Sequence, residues 1–226
     1  MAYRVGYSLK ERTLMNIPNK ITISRVVIVF AMLIALFVLR FIPGLSVPVY
    51  GGDLKINLVY IIICAVFIIA AITDKIDGDL ARKWNQVTDF GKFLDPVADK
   101  LLVTSMLIYL AIPHFVSATM VIPVFCVIIM IVRDLVVDAL RLVATTRHVV
   151  LAANNWGKAK TVLQMVAIPV VLLNGFPFTF FDKDWGEGRL GLVLVYAATL
   201  VSLISGIIYL AQNWKVISLK KEDKHE

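Results

Sequence analysis

The sequence predicts an all-α, polytopic membrane protein with six transmembrane helices and both termini on the cytoplasmic side. Three observations predict it. First, 59% of the 226 residues are hydrophobic and the mean hydropathy is +0.83, whereas a soluble domain is nearer half apolar. Second, the polar residues fall between long apolar runs, and a chain of this length has room for about six spans of roughly 20 residues. Third, the basic residues sort to one side. With the N-terminus inside, segments 1–25, 75–100, 133–160 and the tail hold nineteen of the 23 Lys and Arg, leaving only Arg40, Lys55, Lys183 and Arg189 for the other side. Cytoplasmic loops carry such an excess.

Each element follows in order. Residues 1–20 form a polar, basic cytoplasmic segment in which Ser8–Leu14 is expected as a short interfacial helix. Span one covers about Ile21–Ile42. Its apolar run is long, ends at Arg40 and lacks an obvious small-x-small cleavage site, so it reads as a retained span rather than a signal peptide. Pro43, Gly44, Pro48, Gly51 and Gly52 mark a loop. Span two begins near Asn57 and is apolar to Ile72, with its helical pattern continuing through Arg82. Span three covers Phe93–Ile112, span four Met120–Leu142, span five Trp156–Leu173 and span six Leu190–Asn213, with a charged tail at 214–226. Residues 21–213 therefore form one transmembrane domain.

The net charge of +7 does not point to nucleic acid, because the basic residues are spread over several short loops. Anionic lipid is the expected surface partner. Cys64 and Cys126 both lie in apolar runs and are expected as buried packing residues rather than a disulfide.

The segment Asp74–Asp99, which leads from the end of span two into span three, is the informative one. It holds six of the 16 acidic residues. Asp74 and Asp77 are three apart, and Asp95 and Asp99 four apart, so on helices each pair shares a face. Asn85 and Gly91 are read as breakers between two antiparallel helices that bring the four carboxylates together. Four like charges at membrane helix ends are costly unless protonated, paired or metal-bound. An all-oxygen carboxylate cluster suits Mg²⁺, Mn²⁺ or Ca²⁺, and two such ions can clamp a phosphoryl group. Gly78 and Ala81 leave space for a ligand, and Arg82 supplies a fixed cation for phosphate. Asp79 and Asp89 fall off the two faces and read as solvated charges. An EF-hand is excluded, since the segment lacks alternating oxygen ligands and a terminal Glu.

The string Asp74-x₂-Asp77-Gly78-x₂-Ala81-Arg82-x₈-Gly91-x₃-Asp95-x₃-Asp99 resembles, without departure, the signature of the CDP-alcohol phosphotransferases. The resemblance implies a multi-pass protein of the bacterial inner membrane with its site facing the cytoplasm, divalent metal (Mg²⁺ or Mn²⁺, two per site) and a homodimer. It implies that Asp74, Asp77, Asp95 and Asp99 ligate metal and that Asp99 is also the general base. Gly78, Ala81, Arg82 and Gly91 would contact the CDP moiety of the donor.

Further cues are Asn16–Arg25, Arg133-Asp134 followed by Leu140-Arg141, and Gly157–Thr161. They are similar to the branch that joins CDP-diacylglycerol to glycerol 3-phosphate, and the likeness runs from about Met15 to Trp214. That acceptor is a dianion and requires a cationic pocket, which Arg133, Arg141, Lys158 and Lys160 would supply. Arg133 and Arg141 lie about two turns apart on one helix. Arg147 fits a topological role, and Thr22 and Arg25 suit either the site edge or a helix-start and snorkelling role. The chain departs from the branch at Asp134, where Glu is usual, and at Asp138-Ala139. An acid there can pair with Arg141 or Lys158. Phosphatidylglycerol, serine and an inositol phosphate are the competing acceptors. A transporter is disfavoured, because the two halves show no repeat and the acidic cluster sits at span ends rather than the midplane.

Overall fold

A computed structural model describes residues 17–42, 47–50, 56–83, 89–112, 120–147, 149, 151, 155–178 and 189–218. Among the described residues, six helices and one antiparallel strand pair follow in order: α1 (Ile17–Arg40), β1 (Val49–Tyr50), β2 (Ile56–Asn57), α2 (Leu58–Lys83), α3 (Asp89–Ala111), α4 (Val124–Thr146), α5 (Asn155–Leu172) and α6 (Arg189–Ser218). The chain divides into two compact units. One comprises Met1–Leu45 and Ala65–Leu102, the other Ser46–Cys64 and Val103–Glu226.

In the first unit, α1 buries Thr22, Arg25, Val29, Met32 and Leu36. Their alternating spacing of three and four is the stripe one helix presents to neighbours. Its other faces expose Val27, Phe30, Ile34 and Phe37. α2 runs without interruption from the apolar run into the polar Asp74–Lys83 stretch. α3 starts at Asp89, so Gly91 lies inside its first turn and does not break the chain. Residues 84–88, with the other predicted breaker Asn85, lie outside the described residues.

In the second unit, β1 and β2 pair antiparallel, with Val49 opposite Asn57 and Tyr50 opposite Ile56. Asn57 then caps α2: its Oδ1 accepts from Val59 N at 2.7 Å, satisfying a first-turn amide. The apolar run at Met120 predicts helix from that residue, but α4 begins at Val124. Pro123 disfavours helical backbone in the residue before it, and Ile122 N instead bonds Leu110 O at 2.9 Å. α5 ends in a Schellman motif with Asn174 in the left-handed region at φ 53°. Asn174 N bonds Val171 O and Gly175 N bonds Val170 O, while Asn174 Oδ1 accepts from Met120 N at 3.1 Å.

α6 packs along both α4 and α5. A Cβ on Gly157 would meet Ser205 Oγ, and one on Gly191 would meet Gly175 Cα at 3.2 Å, so α5 and α6 run antiparallel in close contact. Ala198, Ser202, Ser205 and Gly206 keep the buried face of α6 small. Small residues of this kind let membrane helices approach.

The surface is apolar too. Ile69 on α2, Leu135 and Leu142 on α4, Val162 on α5 and Ile207 on α6 are all largely exposed. A soluble monomer rarely shows so much apolar surface. Ile21–Leu39 and Gly191–Trp214 are long and apolar enough to cross a bilayer, with mean hydropathies of 2.6 and 2.2, and Leu58–Thr73 is a shorter apolar helix. α4 carries Arg133, Asp134, Asp138 and Arg141, which lower its apolar character. Cys64 and Cys126 are free thiols and buried, as expected.

Candidate functional site

The predicted metal-binding residues lie on two consecutive helices of the first unit. Asp74, Asp77, Gly78, Ala81 and Arg82 fall in the last turns of α2, and Gly91, Asp95 and Asp99 in the first turns of α3. Each aspartate pair is thus about one helical turn apart. The side chains of Asp74, Asp77, Arg82 and Asp95 lie outside the described residues. Asp99 is partly buried. It is flanked on α3 by Ala98 and Leu102, which are fully buried. Among the described residues no three His, Cys, Asp or Glu side chains group together.

Thr22 and Arg25 belong to the buried face of α1. Arg25 is therefore enclosed rather than reaching to solvent.

The second unit holds a charged cluster among apolar surroundings. The buried face of α4 runs through Cys126, Met130, Val137, Leu140 and Ala144. Arg133 and Asp134 fill the gap in that stripe, so helical periodicity alone turns them inward. Asp134 bridges two cations from different helices. Its Oδ1 accepts from Arg133 Nη1 at 2.9 Å and its Oδ2 from Lys160 Nζ, on α5, at 2.5 Å. Side-chain exposures are 12% for Arg133, 7% for Lys160 and 24% for Asp134. The second guanidinium nitrogen, Arg133 Nη2, donates to Ser205 Oγ on α6 at 2.5 Å.

Two glycines make room for Arg133. A Cβ at Gly157 would stand 3.6 Å from Nη2, and one at Gly206 only 2.8 Å from Cγ. Arg133 Nε and, one turn beyond Lys160, Gln164 Nε2 are buried without a partner among the described residues. The cluster therefore keeps donors for an added acceptor group.

The four predicted acceptor-site cations do not stay together. Arg133 and Lys160 meet at Asp134, but Lys158 is exposed on α5. Two residues apart on a helix is about 200°, which separates them. Arg141 also turns toward α6, two turns along α4, where its Nε donates to Tyr209 OH at 3.2 Å and its guanidinium carbon lies 5.6 Å from the ring centroid. That distance is within cation–π range. Tyr209 in turn packs with Val137 and Leu140, and Leu151 lies against them. Sequence reasoning missed Ser205, Gly206 and Tyr209. Their signal was present: small and hydroxyl residues at three- and four-residue spacing in an otherwise apolar helix.

Known proteins match this chain along most of its length. The CDP-diacylglycerol–glycerol-3-phosphate 3-phosphatidyltransferase of Bacillus subtilis (strain 168) is 37% identical over 202 residues, covering 89% of this chain and 97% of that one. The protein of the same name from Mycoplasma pneumoniae is 35% identical over 214 residues, covering 91% of this chain and 90% of its own. That from Escherichia coli (strain K12) is 35% identical over 198 residues, covering 87% and 93%. The family profile of the CDP-alcohol phosphatidyltransferases matches residues 15–214. That match takes in both the aspartate-bearing helices and the Arg133–Asp134–Lys160 cluster, and it places the chain in the CDP-alcohol phosphatidyltransferase family.

Proposed function

We propose that the protein transfers the phosphatidyl group of CDP-diacylglycerol to glycerol 3-phosphate, giving phosphatidylglycerophosphate and CMP in phospholipid biosynthesis. The observation that carries this reading is the near full-length match to relatives named for that reaction. The cluster on α4 and α5 supports the acceptor. A phosphomonoester dianion needs fixed cations, which serine or an uncharged polyol does not.

In this reading residues 1–20 lie at the cytoplasmic surface, residues 21–213 form a six-span domain and residues 214–226 a cytoplasmic tail. The exposed apolar side chains on α1, α2, α4, α5 and α6 support immersion in a bilayer. The charge asymmetry of the loops supports cytoplasmic termini and a cytoplasm-facing site in the cell membrane. The enzyme would work as a homodimer.

Asp74, Asp77, Asp95 and Asp99 fit a hard divalent metal, Mg²⁺ or Mn²⁺, because the donors are all carboxylates and each pair lies one turn apart at a helix end. Two such ions would neutralise the pyrophosphate of the donor and stabilise departing CMP. Gly78, Ala81 and Gly91 leave the backbone of α2 and α3 open to the CDP moiety, and Arg82 places a cation on its phosphates. Arg133 and Lys160 hold the phosphate of glycerol 3-phosphate, with Arg141 and Lys158 contributing to the positive field around it. The Asp99 carboxylate takes the proton of the attacking hydroxyl as the new P–O bond forms.

The experiment uses purified protein in detergent with CDP-diacylglycerol, glycerol 3-phosphate and Mg²⁺. CMP and phosphatidylglycerophosphate are expected in equal amounts. EDTA is expected to abolish both, and excess Mg²⁺ or Mn²⁺ to restore them. CMP release that is independent of acceptor, or that survives EDTA, would contradict the reading.

A further inference from the structure

We infer that Asp134 is a specificity-determining residue that admits a doubly charged tetrahedral anion to the Arg133–Lys160 site and keeps singly charged ones out. This rests on the reading that Arg133 and Lys160 take the acceptor's phosphate.

The geometry carries it. One Asp134 oxygen is spent on Arg133 and the other on Lys160, so a carboxylate already spans the two cations. The cations come from α4 and α5, and both are more deeply buried than the carboxylate between them. The most open member of the trio is therefore its anion. The trio carries a net charge of +1, and Arg133 is also held by Ser205 and boxed by Gly157 and Gly206. It cannot swing away to meet an anion elsewhere. An arriving anion must share the two cations with Asp134 or take its place.

Charge decides which anions succeed. A monoanion offers the cations no more charge than Asp134 does. It also lacks the tether that gives Asp134 a high effective concentration. A dianion is attracted about twice as strongly by the same net charge. It has oxygens left over for Arg133 Nε, a buried donor with no partner among the described residues. Asp134 thus acts as a built-in competitor that only a phosphomonoester-like charge outbids. Among the other titratable groups of these helices, Arg141 is engaged with Tyr209 of α6 and Lys158 is exposed. Asp138 lies one turn along α4 from Asp134.

Sulfate and methyl sulfate test this, because both are tetrahedral and permanently ionised but differ by one charge. Each is titrated as an inhibitor against glycerol 3-phosphate at constant ionic strength, with saturating CDP-diacylglycerol. In the unmodified enzyme sulfate is expected to compete at least ~10-fold more strongly than methyl sulfate, a gap of about 1.4 kcal/mol. In Asp134→Asn the competing carboxylate is gone, and the methyl sulfate constant is expected to fall at least ~10-fold, a gain of about 1.4 kcal/mol. Asp134→Glu is expected to keep the discrimination. The ratio of the two constants is taken on one sample, so partial loss of folded protein cancels. Equal inhibition by both anions in the unmodified enzyme overturns the inference without needing any variant, as does an unchanged methyl sulfate constant in Asp134→Asn. Failure of sulfate to compete with glycerol 3-phosphate at all overturns the site reading beneath it.

Discussion

Replacing Asp99 by Asn is expected to reduce turnover by at least ~10²–10⁴-fold, the usual contribution of a general base. Two losses combine. The amide cannot accept the hydroxyl proton, and it weakens one ligand of a hard cation that prefers anionic oxygen. The substitution is nearly isosteric. It sits on a helix anchored beside it by the fully buried Ala98 and Leu102, so α3 has no reason to move. The loss should therefore appear in kcat, with the melting temperature in detergent close to that of the parent. CMP release under saturating substrates measures the first and a thermal unfolding curve the second. Near-parental turnover in Asp99→Asn would remove this residue from the mechanism.

Lys160→Met is expected to produce the largest effect in the other unit, and in two quantities. Removing one partner of a buried ion pair costs about 3–5 kcal/mol. Here the figure is discounted to about 2 kcal/mol, because Asp134 keeps Arg133 and is 24% exposed to solvent. Loss of a charge-assisted bond to the acceptor's phosphate costs a further ~1.5–3 kcal/mol in binding. That raises KM for glycerol 3-phosphate by roughly 10–150-fold. The double variant Lys160→Met, Asp134→Asn separates the two. It removes the carboxylate left with one partner and should recover much of the stability, while KM stays above the parent value because the Lys160 ammonium is still missing. Lys158→Met, on the exposed face of the same helix, is expected to shift KM least of the four cations. Steady-state kinetics with thermal unfolding on the same preparations checks all three variants.

Much of the fold is legible in sequence because its helices are written in long apolar runs. The limits expected for α2, α5 and α6 lie within a few residues of those observed, since Asn57 caps one end and Asn174 and Gly175 close another. The start of α4 falls later than its apolar run because Pro123 interrupts backbone geometry without interrupting hydrophobicity. The two-residue strands of the antiparallel pair are too short to leave a period-two pattern among their glycines and proline. Gly91 resembles a breaker by residue type alone, yet the first turn of a helix tolerates glycine at modest cost.

The aspartate spacing is readable because carboxylates one turn apart at helix ends are rare without a purpose. The partner of Asp134 is not. Lys160 is 26 residues away, and only the packing of α5 beside α4 brings its ammonium to that oxygen. Lys158 and Lys160 are near neighbours in sequence, but the 100° step of the helix sets them on different faces, and periodicity alone carries that distinction. Arg141 illustrates a further limit. Its two-turn spacing from Arg133 sets both on one helical face, but the Tyr209 that engages it lies 68 residues on.

The most direct test of the central claim is the identity of the accepted alcohol. Purified protein in detergent is given labelled CDP-diacylglycerol, divalent metal and, in separate reactions, glycerol 3-phosphate, phosphatidylglycerol, serine or inositol phosphate, and the lipid product is identified by mass spectrometry. Phosphatidylglycerophosphate from glycerol 3-phosphate, with the other acceptors near background, is the result predicted. Phosphatidylserine or cardiolipin formation, with no product from glycerol 3-phosphate, would contradict it.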